Sequence, residues 1–334
     1  MLRTLVIAAL LPLAACGKSP AGPSTADPQR VLDGQVVSAL DGAAGSGVTV
    51  QVGRQRAVTT DASGFFQVEI EEPGLYPVIA RGSAFVERET SVTGPSTTRA
   101  RVSLIPTRFD LQSFDEMFRT TNSRLQRWTT RPGLVVLATV LNYRGGTADE
   151  FSATGEQLTD AEAAEMADHL KEGLALLTGN TFTSFAEVKI ERHAPGDRVR
   201  VTRDNYVVVG RYNGIVTFAR TIGYGTWAEL SDGTIAGGSM FLDRDFDHSD
   251  SRRRLLRIHE LGHALGYQHV TSRTSVMNPA IGPEPTDADR AGAVIAFQRP
   301  PGNKSPDIDP SSSSLRTLAT FGGGPARWVS VFCR

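Results

Sequence analysis

His259-Glu260-Leu261-Gly262-His263 sets two imidazoles four residues apart with a carboxylate beside the first, and His269 follows six residues later. On a helix, positions i and i+4 lie one turn apart on the same face, so His259 and His263 can grip one ion. Leu255, Leu256, Ile258, Leu261, Ala264 and Leu265 give that helix an apolar side to bury. Gly266 is the expected stop, because glycine accepts the left-handed conformation that ends helices. The chain can then turn and bring His269 to the metal from outside the helix. Three neutral imidazoles leave a fourth zinc position open for water, the pattern of a catalytic site. Zinc lowers the pKa of a bound water to roughly 7, and Glu260 stands where it can take the proton as general base. One catalytic zinc ion is therefore expected, held by His259, His263 and His269. Three of the six histidines fall inside this motif.

The whole stretch reads H-E-x-x-H-x-x-G-x-x-H and is followed by Ser275-Val276-Met277-Asn278-Pro279. It resembles the zinc-site signature of the metzincin metalloproteases. Leu261-Gly262-His263-Ala264-Leu265-Gly266 and the Met277-x-Pro279 turn look most like the matrixins, since Pro279 stands where astacins and serralysins usually place a tyrosine. Val270 departs from the serine that matrixins usually carry there, and their propeptide cysteine motif and second set of zinc histidines have no counterpart. The resemblance is specific over residues 259–279 and looser over 128–297. It implies a zinc endopeptidase in which Met277 forms an apolar floor beneath the metal without ligating it. It also implies a peptide substrate paired along an edge strand, assigned to residues 215–221 with 235–242 as neighbour, where backbone bonds give affinity and pockets give selectivity.

The elements that must hold this site are read over residues 106–299, an α+β domain of metzincin type. A helix is expected within 109–128, with Phe114, Met117, Phe118 and Leu125 on its apolar side. The unbroken run Leu134-Val135-Val136-Leu137-Ala138-Thr139-Val140 predicts a strand buried on both faces. Thr159 with Glu162 three residues on predicts a capped helix start, with Ala164, Met166, Leu170, Leu174 and Leu177 buried and Gly179-Asn180 at its end. Residues 188–191, 207–210, 215–220 and 235–242 read as strands. The acidic run Asp243-Arg244-Asp245-Phe246-Asp247 is a possible calcium site that the sequence does not support. His248 and Arg254 spoil the EF-hand pattern, so caps and turn residues are the expected reading. A last helix opens at Thr286-Asp287-Ala288-Asp289.

Ahead of this domain, residues 31–105 show short alternating runs, such as Val48-Thr49-Val50-Gln51-Val52 and Phe66-Gln67-Val68-Glu69-Ile70, between turn signals. About seven strands at this spacing predict a small all-β sandwich. Thr60-Asp61-Ala62-Ser63-Gly64-Phe65-Phe66 resembles the carboxypeptidase regulatory-like, transthyretin-like fold, which implies structural roles for the turn aspartate and glycine. No catalytic constellation is visible there, so a spacer or binding module is expected. The fold class is thus multidomain: a β-sandwich followed by an α+β catalytic domain.

Residues 1–16 read as a signal peptide, with Arg3 before a short apolar stretch and Leu13-Ala14-Ala15-Cys16 resembling a bacterial lipobox. The resemblance implies lipid attachment at Cys16 and a cell-envelope location, outer membrane rather than inner in a Gram-negative host because Gly17 follows the cysteine. Residues 17–30 form a Gly/Pro/Ser linker. Residues 300–334 form a Pro/Ser/Gly-rich tail expected to be flexible for most of its length. Only Cys16 and Cys333 exist, so no disulfide framework is expected, and Cys333 reads as an unremarkable terminal thiol. With 35 basic and 36 acidic residues interspersed, nothing points to nucleic acid. Oligomeric state is left open. The expected partners are a peptide or protein substrate and, through the anchor, a membrane. The rival is a non-catalytic surface lipoprotein with a structural zinc site and a β-sandwich binding module. A zinc shell closed by a fourth protein ligand favours the rival, and an open position favours the enzyme.

Overall fold

The computed structural model describes residues 30–96, 98–144, 149–311 and 326–333. The leader with Cys16 and nearly all of the linker lie outside the described residues. Residues 31–104 form seven strands: β1 (Val31–Ser38), β2 (Thr49–Val52), β3 (Val58–Thr59), β4 (Phe65–Glu69), β5 (Gly74–Gly82), β6 (Phe85–Gly94) and β7 (Ala100–Leu104). They make two sheets, ordered β4-β1-β7 and β3-β2-β5-β6. In β4 the alternation is plain, with Phe66 and Val68 buried and Gln67 and Glu69 exposed. These two join Val36, Val50, Val78 and Val102 in one core drawn from both sheets. The Asp61 carboxylate accepts from the Ser63 and Phe65 amides at 2.9 and 2.8 Å. Gly64 (φ +77°) lies so near the Val36 carbonyl that a Cβ would approach it to 2.3 Å. Both residues therefore shape the turn.

The rest is sheet-rich with a few helices. Its elements are α1 (Leu111–Phe118), β8 (Gly133–Asn142), β9 (Glu150–Gln157), α2 (Asp160–Leu177), β10 (Val188–Glu191), β11 (Arg198–Arg200), β12 (Tyr206–Asn213), α3 (Ile215–Ala219), β13 (Gly223–Glu229), β14 (Ile235–Asp243), α4 (Arg244–Ser249), α5 (Arg253–Ala264), α6 (Asp287–Phe297) and β15 (Arg327–Cys333). The sheet runs β11-β9-β8-β12-β14-β13-β15, with β10 also paired to β8. β8, β12 and β14 are parallel, and β13 returns antiparallel to β14. Within β8, Leu134, Val136, Ala138 and Val140 enter one core and Val135, Leu137 and Leu141 the other, so the strand is covered on both faces as its apolar run predicts. One of these cores lies between the sheet and α2, α5 and α6. No helix among the described residues is long and apolar enough to cross a membrane.

Four expectations need correction. The helix within 109–128 is only α1; Leu125 is buried beyond it. Ala164 is exposed and Ala163 takes its place in the α2 face. Residues 215–220 do not form a strand. Gly214 (φ +91°) and Arg220 (φ +55°) adopt left-handed conformations at the two ends of a single helical turn, which leaves Val216 and Phe218 exposed. The strand beside β14 is β13 instead. The tail is also more ordered than its composition implies. Arg299, Asn303 and Asp307 are fully buried, with Arg299 Nε bonded to Asp307 at 2.7 Å. Arg299 and Arg88 both bond Ser103, at 2.9 and 2.7 Å, and Arg88 also pairs with Asp309 at 2.8 Å. This buried polar knot ties β6 and β7 to the segment after α6.

Candidate metal site

Helix α5 carries the site and is buried along its whole length from Leu255 to Ala264. Its end is a Schellman motif: the Tyr267 amide bonds the Gly262 carbonyl and the Gly266 amide the His263 carbonyl, both at 2.9 Å. Gly266 has φ +97°, and a Cβ there would lie 2.5 Å from Ile235. The reversal brings His269 back toward the helix, and the Gln268 amide bonds Met117 O at 2.8 Å to hold the loop on α1.

Two imidazoles are oriented from behind. His259 Nδ1 lies 2.7 Å from Val276 O, and His263 Nδ1 2.7 Å from Tyr267 O. A carbonyl can only accept, so each Nδ1 carries the proton and each Nε2 presents a lone pair. Those lone pairs converge: His263 Nε2 is 3.0 Å from His259 Nε2 and 3.3 Å from His269 Nε2. Neutral imidazoles so held have no hydrogen to share between their Nε2 atoms, and a cation is what such a cluster fits. Burial makes them neutral, pushing His259 down to about 3, His263 well below the usual imidazole range and His269 down as well.

A fourth group completes the cluster. Cys333, expected to be an unremarkable thiol, is fully buried with Sγ 3.0 Å from His259 Nε2, 3.3 Å from His263 Nε2 and 3.5 Å from His269 Nε2. Zinc bonds of about 2.0–2.1 Å to nitrogen and 2.3 Å to sulfur give tetrahedral edges of roughly 3.3–3.6 Å, close to the five separations just given, and all four atoms lie within 4.8 Å of one another. Among the described residues these four form the group that could hold a metal ion. The aspartates considered for calcium are otherwise engaged. Asp243 caps α4 by accepting from Phe246 N at 3.0 Å, and Asp247 lies between two arginines.

Glu260 is fully buried; neither carboxylate oxygen makes a hydrogen bond of ordinary geometry, and the Cys333 thiol is the polar neighbour that partly offsets its burial. Burial raises its pKa well above the ordinary carboxylate value. Its room comes from β13, since a Cβ on Gly223 would lie 2.6 Å from Glu260 Oε1. Met277 lies under the helix, fully buried, and the glycine at 262 lets it approach. Its turn is fixed by Asp289, which accepts from Ser275 Oγ at 2.5 Å and Val276 N at 3.1 Å while capping α6 through Thr286.

Residues 198–292 match the model of the matrixin family. The match supports a zinc metalloprotease-type function and spans the site from β11 into α6. No curated protein matches the chain.

Sequence reasoning missed several contributors. Gly225 is one: a Cβ there would lie 2.4 Å from His263 Cβ, and one on Gly238 would lie 2.8 Å from Ala264 O. Glycines inside a strand pattern mark such close backbone approach, and that signal was present. The Asp247–Arg257 pair was another. Arg257 donates Nε and Nη2 to Asp247 at 2.7 and 2.9 Å, two residues before His259, and Arg211 donates to the same carboxylate at 2.7 Å. Cys333 was the third; nothing in its sequence neighbourhood tied that thiol to the histidines.

Proposed function

We propose that the protein is a zinc endopeptidase of matrixin-like, metzincin type, with His259, His263 and His269 as the metal ligands and Glu260 as general base. The observation that carries this reading is the convergence of three Nε2 atoms, two of them with lone pairs turned inward by carbonyls behind the rings, beside a fully buried carboxylate. A structural metal site has no use for such a carboxylate, whereas hydrolysis needs it. Bound zinc would supply Lewis-acid polarisation of the scissile carbonyl and acidify water. Glu260 takes the proton of the attacking water and passes it to the leaving amine. Val276 O and Tyr267 O hold the imidazoles in the ligating tautomer. Met277 serves as the apolar floor. The substrate is an extended peptide paired with β13, in place of the segment 215–221 assigned from sequence. On this reading the protein is exported and tethered to the cell envelope through an acylated Cys16, with residues 31–105 as a spacer or binding module.

Glu260→Gln tests it. The variant should keep its zinc, measured by elemental analysis, and lose peptide turnover by about 10²–10⁴-fold, because an amide cannot accept the proton. Unchanged turnover would remove Glu260 from the mechanism. The structural-zinc alternative has one observation in its favour, the closing of the cluster by Cys333. Its outcome in the same experiment is a zinc-loaded chain that cleaves nothing in a broad peptide library either as wild type or with Cys333→Ser.

A further inference from the structure

β15 pairs antiparallel with β13 over seven positions, from Gly223 opposite Cys333 to Glu229 opposite Arg327. Without it, β13 would be the edge of the sheet beside α5. Val329 and Val331 pack toward the core, while Phe332 lies over the Tyr224 ring at 4.7 Å. The strand therefore lies where an extended peptide would add itself to the sheet. It also delivers Sγ to the three imidazoles, beside the fully buried Glu260 carboxylate.

We propose that Cys333 is a fourth metal ligand and that β15 occupies the peptide-binding edge, so that the chain fills its own active site. This deepens the protease reading and rests on it. It also reconciles a closed cluster with the presence of Glu260: the site is catalytic in composition and shut by a removable occupant. Sulfur–metal bonding would displace a bound water and release the thiol proton to solvent, since a coordinating thiol is deprotonated outright. Exchange of sulfur for water reverses the step and needs no oxidant or reductant. Two devices act together, the seven-position ladder denying the edge to substrate and the sulfur denying the metal to water.

The experiment uses the full chain carrying Cys16→Ser, which leaves Cys333 as the sole thiol, beside the same chain with Cys333→Ser. Loaded with cobalt(II), the parent should show a thiolate-to-cobalt charge-transfer band in the near ultraviolet, absent from the Cys333→Ser chain. Its thiol should resist a disulfide reagent until a chelator removes the metal. Loaded with zinc, Cys333→Ser should cleave short peptides at least about tenfold faster than the parent, because a tethered competitor acts at roughly millimolar effective concentration. No band, an unprotected thiol and equal cleavage by both chains would overturn the proposal while leaving the protease intact. A band lost in Cys333→Ser with no cleavage by either chain would overturn both, leaving a closed structural site.

Discussion

Gly262 and Met277 meet so closely that a Cβ at position 262 would lie 2.4 Å from the Met277 sulfur. The methionine turn and the histidine helix are thus one packed unit, and the turn's Val276 carbonyl orients His259. Gly262→Ala should displace one against the other. Overpacking of this kind costs about 1–3 kcal/mol. Urea unfolding should show that loss, and a zinc competition assay should show weaker binding. Wild-type affinity in a stably folded variant would separate the turn from the metal site.

Asp247 should be a stability residue with an effect on the site. Arg211 and Arg257 both pair with it, and the Asp247 and Arg257 side chains are wholly buried. Removing one partner of a buried pair typically costs about 3–5 kcal/mol, because the other charge stays behind unpaired. Asp247→Ala should therefore lower the thermal midpoint far more than Asp245→Ala, whose carboxylate is exposed. Equal midpoints for the two variants would contradict this.

Metal removal should destabilise the fold. A ligand bound only by the native state adds stability as its concentration exceeds its dissociation constant, about 2.7 kcal/mol at a hundredfold excess. The thermal midpoint should fall on chelation and recover with added zinc. His263→Ala, whose side chain lies at the middle of the cluster, should show little of that zinc-dependent increment. An increment as large as the wild type's would mean that the ion binds elsewhere.

Glu162 should contribute an acid-sensitive part of the stability. Burial alone would raise its pKa, but hydrogen bonds from Arg211 and Thr159 outweigh that and hold it down at about 2, against an ordinary 4.5. A depressed folded pKa gives stability that is present above the unfolded value and lost as pH falls through the folded one. Glu162→Gln should therefore be less stable than wild type above pH ~4.5, the gap closing toward pH ~2. Denaturant midpoints across that range would reveal a gap independent of pH if the assignment is wrong.

Cys16→Ser should abolish acylation and release the protein from membranes, because a single cysteine closes the apolar leader. Metabolic acyl labelling followed by fractionation decides the matter. Label retained by the variant would place the modification elsewhere.

The clustering of the three histidines was legible because their spacing is local. His259 and His263 share a helix face, and Gly266 announces the turn to His269. β8, the Thr159–Glu162 capping box and the helix start at Thr286 were legible for the same reason, periodicity and cap chemistry being written over a few neighbouring residues. β13 was not, because Gly223 and Gly225 weaken strand propensity where the helix needs their missing side chains, while the β-branched Ile215-Val216-Thr217 imitates a strand. Cys333 was invisible for a different reason. Its partners lie 64 to 74 residues earlier, and only sheet pairing brings them together.

That pairing also has an order in time. A chain emerges from its N-terminus, so α5 and the His269 loop are made before β15 exists. The rung joining Glu229 to Arg327 and the one joining Gly223 to Cys333 close about a hundred residues of chain, and contacts so distant in sequence form slowly. On the zinc reading, the newborn protein thus passes through an interval in which the three imidazoles could take up an ion before Cys333 reaches them. On that reading, β15 closes a centre already charged.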